Sequence, residues 1–198
     1  MRPILLLLGV AALASSFLPG TAMSHSSQST PTAGNHPEAA SIDAARFDAF
    51  GPDVRPFTCE ATITAPVDRV FAAWTDAESF RSAYDPDRDE LAANIDLAIG
   101  GRYEWLWDGR TGSNGCQVLS YVPDRMLSFT WNAPPDQEAS RLKHTWVVVL
   151  FEAVDERTTR VELTHLGFGA AAHWTVTRDY FAKAWPFVLE QFRKGLDR

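Results

Sequence analysis

Hydrophobic and polar positions change register several times along this chain, and each change predicts an element. "FTCEATI", from residue 57, alternates and is rich in β-branched residues, which predicts a strand. After Pro66, the residues Val67, Val70, Phe71 and Trp74 recur at helical spacing, and "AESFRSAY" predicts a second short helix. Six extended stretches follow with turn residues between them: near residues 91–97, then 102–107, 116–122, 125–131, 143–154 and 159–168. The last two form a hairpin about residues 155–158. Over residues 177–197 the period lengthens again. Phe181, Trp185, Val188, Phe192 and Leu196 make a stripe at steps of three and four, which predicts a long amphipathic helix. Pro186 lies inside it and implies a kink or a break at that turn.

Upstream of residue 57 the pattern is of another kind. Arg2 precedes the apolar run "ILLLLGVAALA", and small residues lead to Ala22. One charge, a short apolar run and a small-residue exit describe an export signal over residues 1–22, cleaved after Ala22, and a periplasmic or secreted location. Retention as an anchor is the alternative, because Phe17 and Leu18 lengthen the apolar run. Residues 23–56 read as a disordered linker and N-terminal arm. Residues 23–41 are mostly Ser, Thr, Pro, Ala and Gly and have too little apolar surface to offset ordering. "IDAARFDAF", residues 42–50, reads as a short helix or arm. The folded domain is therefore expected over residues 57–198.

An order of strand, two short helices, six strands and one long helix predicts an α+β fold. A mostly antiparallel sheet with a single apolar helix must close over that helix. A gap where the sheet bends away from the helix is the natural pocket. The chain has 198 residues, enough for one such domain, and its seven tryptophans suggest large buried contacts or a cavity. Removal of the signal leaves 17 basic and 25 acidic residues, a balance of −8 that disfavours nucleic acid and anionic lipid. No nucleic-acid partner is expected, and no stable membrane insertion once the signal is cut.

Five segments in order, "ITAPVDRVFAAWTD", "DLAIGGRYEW", "VPDRMLSFTW", "TRVELTHLGF" and "AWPFVLEQFRKGL", resemble the SRPBCC superfamily. This is the START-like, birch-pollen-allergen-like helix-grip group, and the bacterial relatives of the activator of the Hsp90 ATPase are the most similar branch. The resemblance implies a curved antiparallel sheet of about seven strands wrapped around the C-terminal helix. It also implies two short helices between strands 1 and 2 and a hydrophobic cavity between sheet and helix. Two positions depart from the family pattern. Ala83 and Tyr84 stand where a tryptophan pair is common, and Ala184-Trp185 replaces a Gly-Trp pair.

In "VELTHLGFG" one residue breaks the pattern: His165 shares the face of Val161 and Leu163. It is either a hydrogen-bonded structural histidine or a polar point that orients a ligand in an apolar pocket. Tyr103, Trp105 and Trp107 share one strand face, and Leu127, Phe129 and Trp131 another; the resemblance points both sets inward, towards Phe181 and Trp185. The expected ligand-binding residues are Tyr103, Trp105, Trp131, His165, Phe181 and Trp185. The expected function is binding of a small hydrophobic or amphipathic molecule, with no covalent catalyst. A cyclase- or aromatase-like enzyme using His165 as acid or base is the alternative. A chaperone ATPase activator ranks behind both, because an export signal separates the chain from a cytosolic chaperone.

No cofactor and no metal are expected. "DPDRDE" lacks the glycine and the terminal glutamate of a calcium loop, and no Cys/His set with zinc spacing occurs. On "TWVVVLF", if Val147, Val149 and Phe151 point inward, Trp146, Val148 and Leu150 point outward. That outward patch suggests a homodimer, or cover by the arm at residues 42–56. Cys59 and Cys116 fall on strands that the helix-grip order places far apart, so both thiols are expected to be free.

Overall fold

A computed structural model describes residues 56–197. The export signal expected over residues 1–22 and the linker and arm expected over 23–56 lie outside the described residues, apart from Pro56.

The strand β1 (Phe57–Ile63) leads into two short helices, α1 (Val67–Thr75) and α2 (Ala77–Tyr84). Only Asp76 separates the helices, and it serves both. Its backbone N–H closes α1 on the carbonyl of Ala72, and its carboxylate accepts from Ser79 N at 2.7 Å to cap α2. The backbone N–H groups at that helix start hold the Asp76 carboxyl below its usual range. Six strands follow: β2 (Ala92–Ile95), β3 (Tyr103–Leu106), β4 (Val118–Val122), β5 (Met126–Trp131), β6 (Thr145–Asp155) and β7 (Thr158–Leu166). A four-residue helix, α3 (Glu138–Arg141), interrupts the path from β5 to β6, and α4 (Ala172–Leu196) closes the described chain.

Five strands pair antiparallel in the order β1-β7-β6-β5-β4, and β2 pairs with β3. The ribbon extends the sheet past β4. Arg102 bridges to Gln117, and Tyr103 N donates to the Cys116 carbonyl at 2.8 Å. Seven strands thus form one curved surface, with α4 in its concavity.

The inward positions follow the period-two pattern through the middle of β5 to β7. Leu127, Phe129, Trp131, Val147, Val149, Phe151, Val161, Leu163 and His165 are all buried. Opposite them, α4 buries Trp174, Thr177, Phe181, Trp185, Val188, Leu189, Phe192 and Leu196. The helix starts five residues before the predicted position and runs unbroken through Pro186, whose ring stands on the exposed side. At its far end Gly195 lies against the backbone of α2. A Cβ there would sit 1.8 Å from the Ala83 carbonyl oxygen, so the helix crossing depends on glycine. Cys59 on β1 and Cys116 beside β4 stand at opposite edges of the five-stranded sheet and are free. Burial raises both thiols, Cys59 to about 11 and Cys116 to about 12, so neither is a reactive thiolate near neutral pH.

Candidate functional site

Strand direction and helix phase bring the six sequence-predicted residues into one cluster. Tyr103 and Trp105 come from β3, Trp131 from the end of β5, His165 from β7, and Phe181 and Trp185 from α4. All six are between 0% and 6% exposed. Trp105, Trp131 and Trp185 meet edge-on or tilted at centroid separations of 5.3 to 6.1 Å. His165 lies 4.6 Å from Phe181, and Tyr103 stacks on Phe129 at 4.2 Å. These separations are those of packed aromatic pairs. The rings therefore fill the space between sheet and helix. Two cavities lie elsewhere, one on the outer face of the sheet and one between α1, α2 and the end of α4.

Four residues form a directional chain of hydrogen bonds through this cluster. Trp185 Nε1–H donates to His165 Nδ1 at 2.9 Å. An indole nitrogen only donates, so Nδ1 is bare and the imidazole proton sits on Nε2. That proton faces Thr145 Oγ1 at 2.7 Å, and the Thr145 hydroxyl donates to the Trp131 carbonyl at 2.9 Å. Both imidazole nitrogens are thus occupied and the tautomer is fixed. Burial pushes the His165 pKa down to about 3. At neutral pH the ring is uncharged and has no free nitrogen to exchange a proton.

Two polar atoms in the same interior lack partners. Trp74 Nε1 and Trp105 Nε1 are buried and meet no hydrogen-bond acceptor among the described residues. The Trp105 indole is near enough to the Tyr103 phenol to oppose slightly the strong rise that burial imposes on it, yet falls outside hydrogen-bond geometry. The Tyr103 hydroxyl itself donates to the Trp74 carbonyl at 2.9 Å. Trp74 is a part of the cluster that the sequence pattern placed only in the core of α1. Its ring stacks on Phe192 at 4.7 Å and tilts against Trp105 at 5.6 Å. Helical spacing signalled that Trp74 is buried, but nothing in it signalled an unpaired N–H. Tyr84, at one of the departures from the family pattern, packs against Phe80, Phe192, Trp105 and Trp107.

The first turns of α4 are attached differently from the rest of it. Thr177, fully buried, is within hydrogen-bond distance of Ser140 Oγ (2.6 Å) and Gln137 Oε1 (2.7 Å), which lie on and just before α3. Just before α4, Gly167 adopts φ +90°, a conformation that favours glycine. Among the described residues no group of three His, Cys, Asp or Glu side chains is placed to hold a metal ion. No helix among them is long and apolar enough to cross a membrane.

A curved antiparallel sheet gripping a C-terminal helix, with an aromatic interior and two short helices after the first strand, defines a helix-grip protein of the SRPBCC superfamily. Within that class, residues 64–197 match the family model described as activator of Hsp90 ATPase homolog 1-like protein, and the chain belongs to that family. Solved structures agree on the fold. Protein MLL2253 from Mesorhizobium loti is 21% identical with a TM-score of 0.59, over 73% of this chain and 98% of that one. A protein from Arthrobacter aurescens is 20% identical with a TM-score of 0.55, over 73% and 87%. PFC0360w from Plasmodium falciparum, an HSP90 activator, is 20% identical with a TM-score of 0.54, over 68% and 90%. None of the curated proteins matches the chain.

Proposed function

We propose that this is an exported receptor for a small, mostly apolar, uncharged molecule held between the sheet and α4, among Tyr103, Trp105, Trp131, Phe181 and Trp185. One observation carries the reading: the unpaired N–H groups of Trp74 and Trp105, the two fully buried side-chain polar atoms without a partner among the described residues. A buried donor left without an acceptor costs about 1–3 kcal/mol. A ketone, ester or hydroxyl oxygen on a bound molecule removes that cost, while the surrounding rings supply apolar contact. The residues of the cluster are neutral at pH 7, so an anionic group would be desolvated there without compensation.

The rings are in contact, so binding requires them to part. The route of least resistance is the polar seam between α4 and α3, where Thr177 is held by hydrogen bonds to Ser140 and Gln137 rather than by apolar packing. His165 acts as a fixed strut beneath Trp185. Acid–base catalysis by His165 is not the reading this geometry supports, because its two nitrogens are engaged and its pKa is about 3.

Two measurements test the proposal. Native mass spectrometry of the protein purified from its own compartment should show a stoichiometric small-molecule adduct. Titration with prodan, a neutral naphthalene carrying a ketone, should give saturable, blue-shifted fluorescence. Trp105→Phe should weaken prodan about tenfold, the equivalent of one hydrogen bond, and Leu150→Ser on the outer face should leave it unchanged. A clean apo mass together with no saturable prodan signal would refute the receptor reading.

A further inference from the structure

The outer face of the sheet carries a second apolar feature, independent of the interior. Trp146, Val148 and Leu150 project outward from β6, with Leu166 beside the first and Met126 beside the last. Trp146 is 40% exposed and Leu150 45%. The Trp146 ring lies over Gly167, where a Cβ would approach its Cζ3 to 2.5 Å. This close approach is possible only because Gly167 has no side chain. At its other end the stripe runs into a groove of about 250 Å³ lined by Arg125, Leu150, Glu152, Arg160 and Glu162, among others. Arg160 is paired there with Glu60, Glu152 and Glu162, whereas Arg125 has no ion-pair partner among the described residues.

The place where the described chain begins bears on this stripe. Phe57, His165 and Val147 form one row across β1, β7 and β6. Pro56 therefore stands one step further along, beside the row that holds Leu166 and Trp146. The described chain begins at this corner. From there to Trp146 is two strand spacings, about 10 Å, and from Trp146 to Leu150 about 14 Å more. Seven or so extended residues span that distance. Residues 42–55 are twice as long, and they carry Ile42, Phe47, Phe50 and Val54, whereas residues 24–41 contain no large apolar side chain. In an extended run counted back from Pro56, Phe50 falls at the distance of the Val148–Leu150 part of the stripe, and the acid Asp48 at that of Arg125.

We propose that residues 42–55 of the same chain fold back across the outer face of β5 to β7, seating Val54 and Phe50 on the Trp146–Val148–Leu150 stripe and bringing Asp48 to Arg125. The interior is then one apolar site and the outer face a second, already served by the chain itself.

The test uses the full chain. Acrylamide quenching of Trp146, taken as the difference between the protein and its Trp146→Phe variant, should be weak and should rise several-fold in Val54→Ser/Phe50→Ser. In a Cys59→Ser background, Asp48→Cys with Arg125→Cys should form an intramolecular disulfide in the monomer. Free quenching of Trp146 in a monomeric, unaltered chain would overturn the proposal, since it means a bare face. A dimer that Leu150→Glu dissociates would overturn it too, since the occupant is then a second copy.

Discussion

The two faces of β7 handle polar groups in opposite ways. On the inner face Thr159 and His165 are fully buried beside Val161 and Leu163, and each has a defined partner. Thr159 Oγ1 donates to the Ala65 carbonyl at 2.8 Å, and His165 is held between Thr145 and Trp185. On the outer face Arg160 gathers Glu60, Glu152 and Glu162, but all four side chains remain a third or more exposed. The outer cluster has more charge and more contacts, yet water competes for each of them. The inner chain has no formal charge, and no water stands ready to replace a lost partner. Stability should therefore depend on the side with fewer and weaker-looking bonds.

The sharpest way to break the contrast is Trp185→Ala, which removes a buried ring and the donor to His165 Nδ1. It should cost about 3–5 kcal/mol by urea unfolding. Trp146→Ala, an exposed indole on the opposite face, should cost far less. The next effect is a pH dependence with a definite sign. An unfolded histidine takes up a proton near pH 6.5, while folded His165 resists it to about pH 3. In that window the unfolded state binds more protons, so stability falls as pH falls, by about 1.4 kcal/mol per unit. Half-buried His144, lowered by burial and by Arg141, adds in the same direction. Unfolding free energies at pH 7 and pH 5 should therefore differ clearly in the native chain, and the difference should shrink in His165→Asn.

A smaller loss is expected from Thr145→Val, which leaves the imidazole N–H and the Trp131 carbonyl unpaired: about 1–3 kcal/mol. Its outer-face counterpart is Thr164→Val, which breaks an exposed hydroxyl pair with Thr58. That change should stay within about 0.5 kcal/mol. Smallest of all is Arg160→Ala, also within about 0.5 kcal/mol and with little response to salt, since exposed ion pairs contribute little net free energy. A loss of several kcal/mol there would reverse the comparison between the two faces.

Much of the architecture was legible because period two and period 3.6 report burial directly. "MLSFTW" and "TRVELTHL" fixed which side chains share a face, the family resemblance turned that face inward, and the α4 stripe supplied what it meets. Two features had no such signal. The helix α3 is four residues in a polar stretch, too short for periodicity to show. The start of α4 at Ala172 carries no periodic signal, because "AHWTV" buries only Trp174 in its five residues.

The sequence by itself determined the order of the elements other than α3 and, by alternation, which side chains share a strand face; the family resemblance pointed Tyr103, Trp105, Trp131, His165, Phe181 and Trp185 inward. Alternation needs only a residue's neighbours in the chain to be read. Tertiary structure alone decided that the rings close on one another instead of lining an open cavity, and that His165 accepts from Trp185 and is kept neutral. It alone left Trp74 and Trp105 with unanswered N–H groups and placed Gly195 against α2. Those outcomes depend on distances of a few ångströms between residues from different elements, and such distances are set only when the helix comes to rest in the sheet.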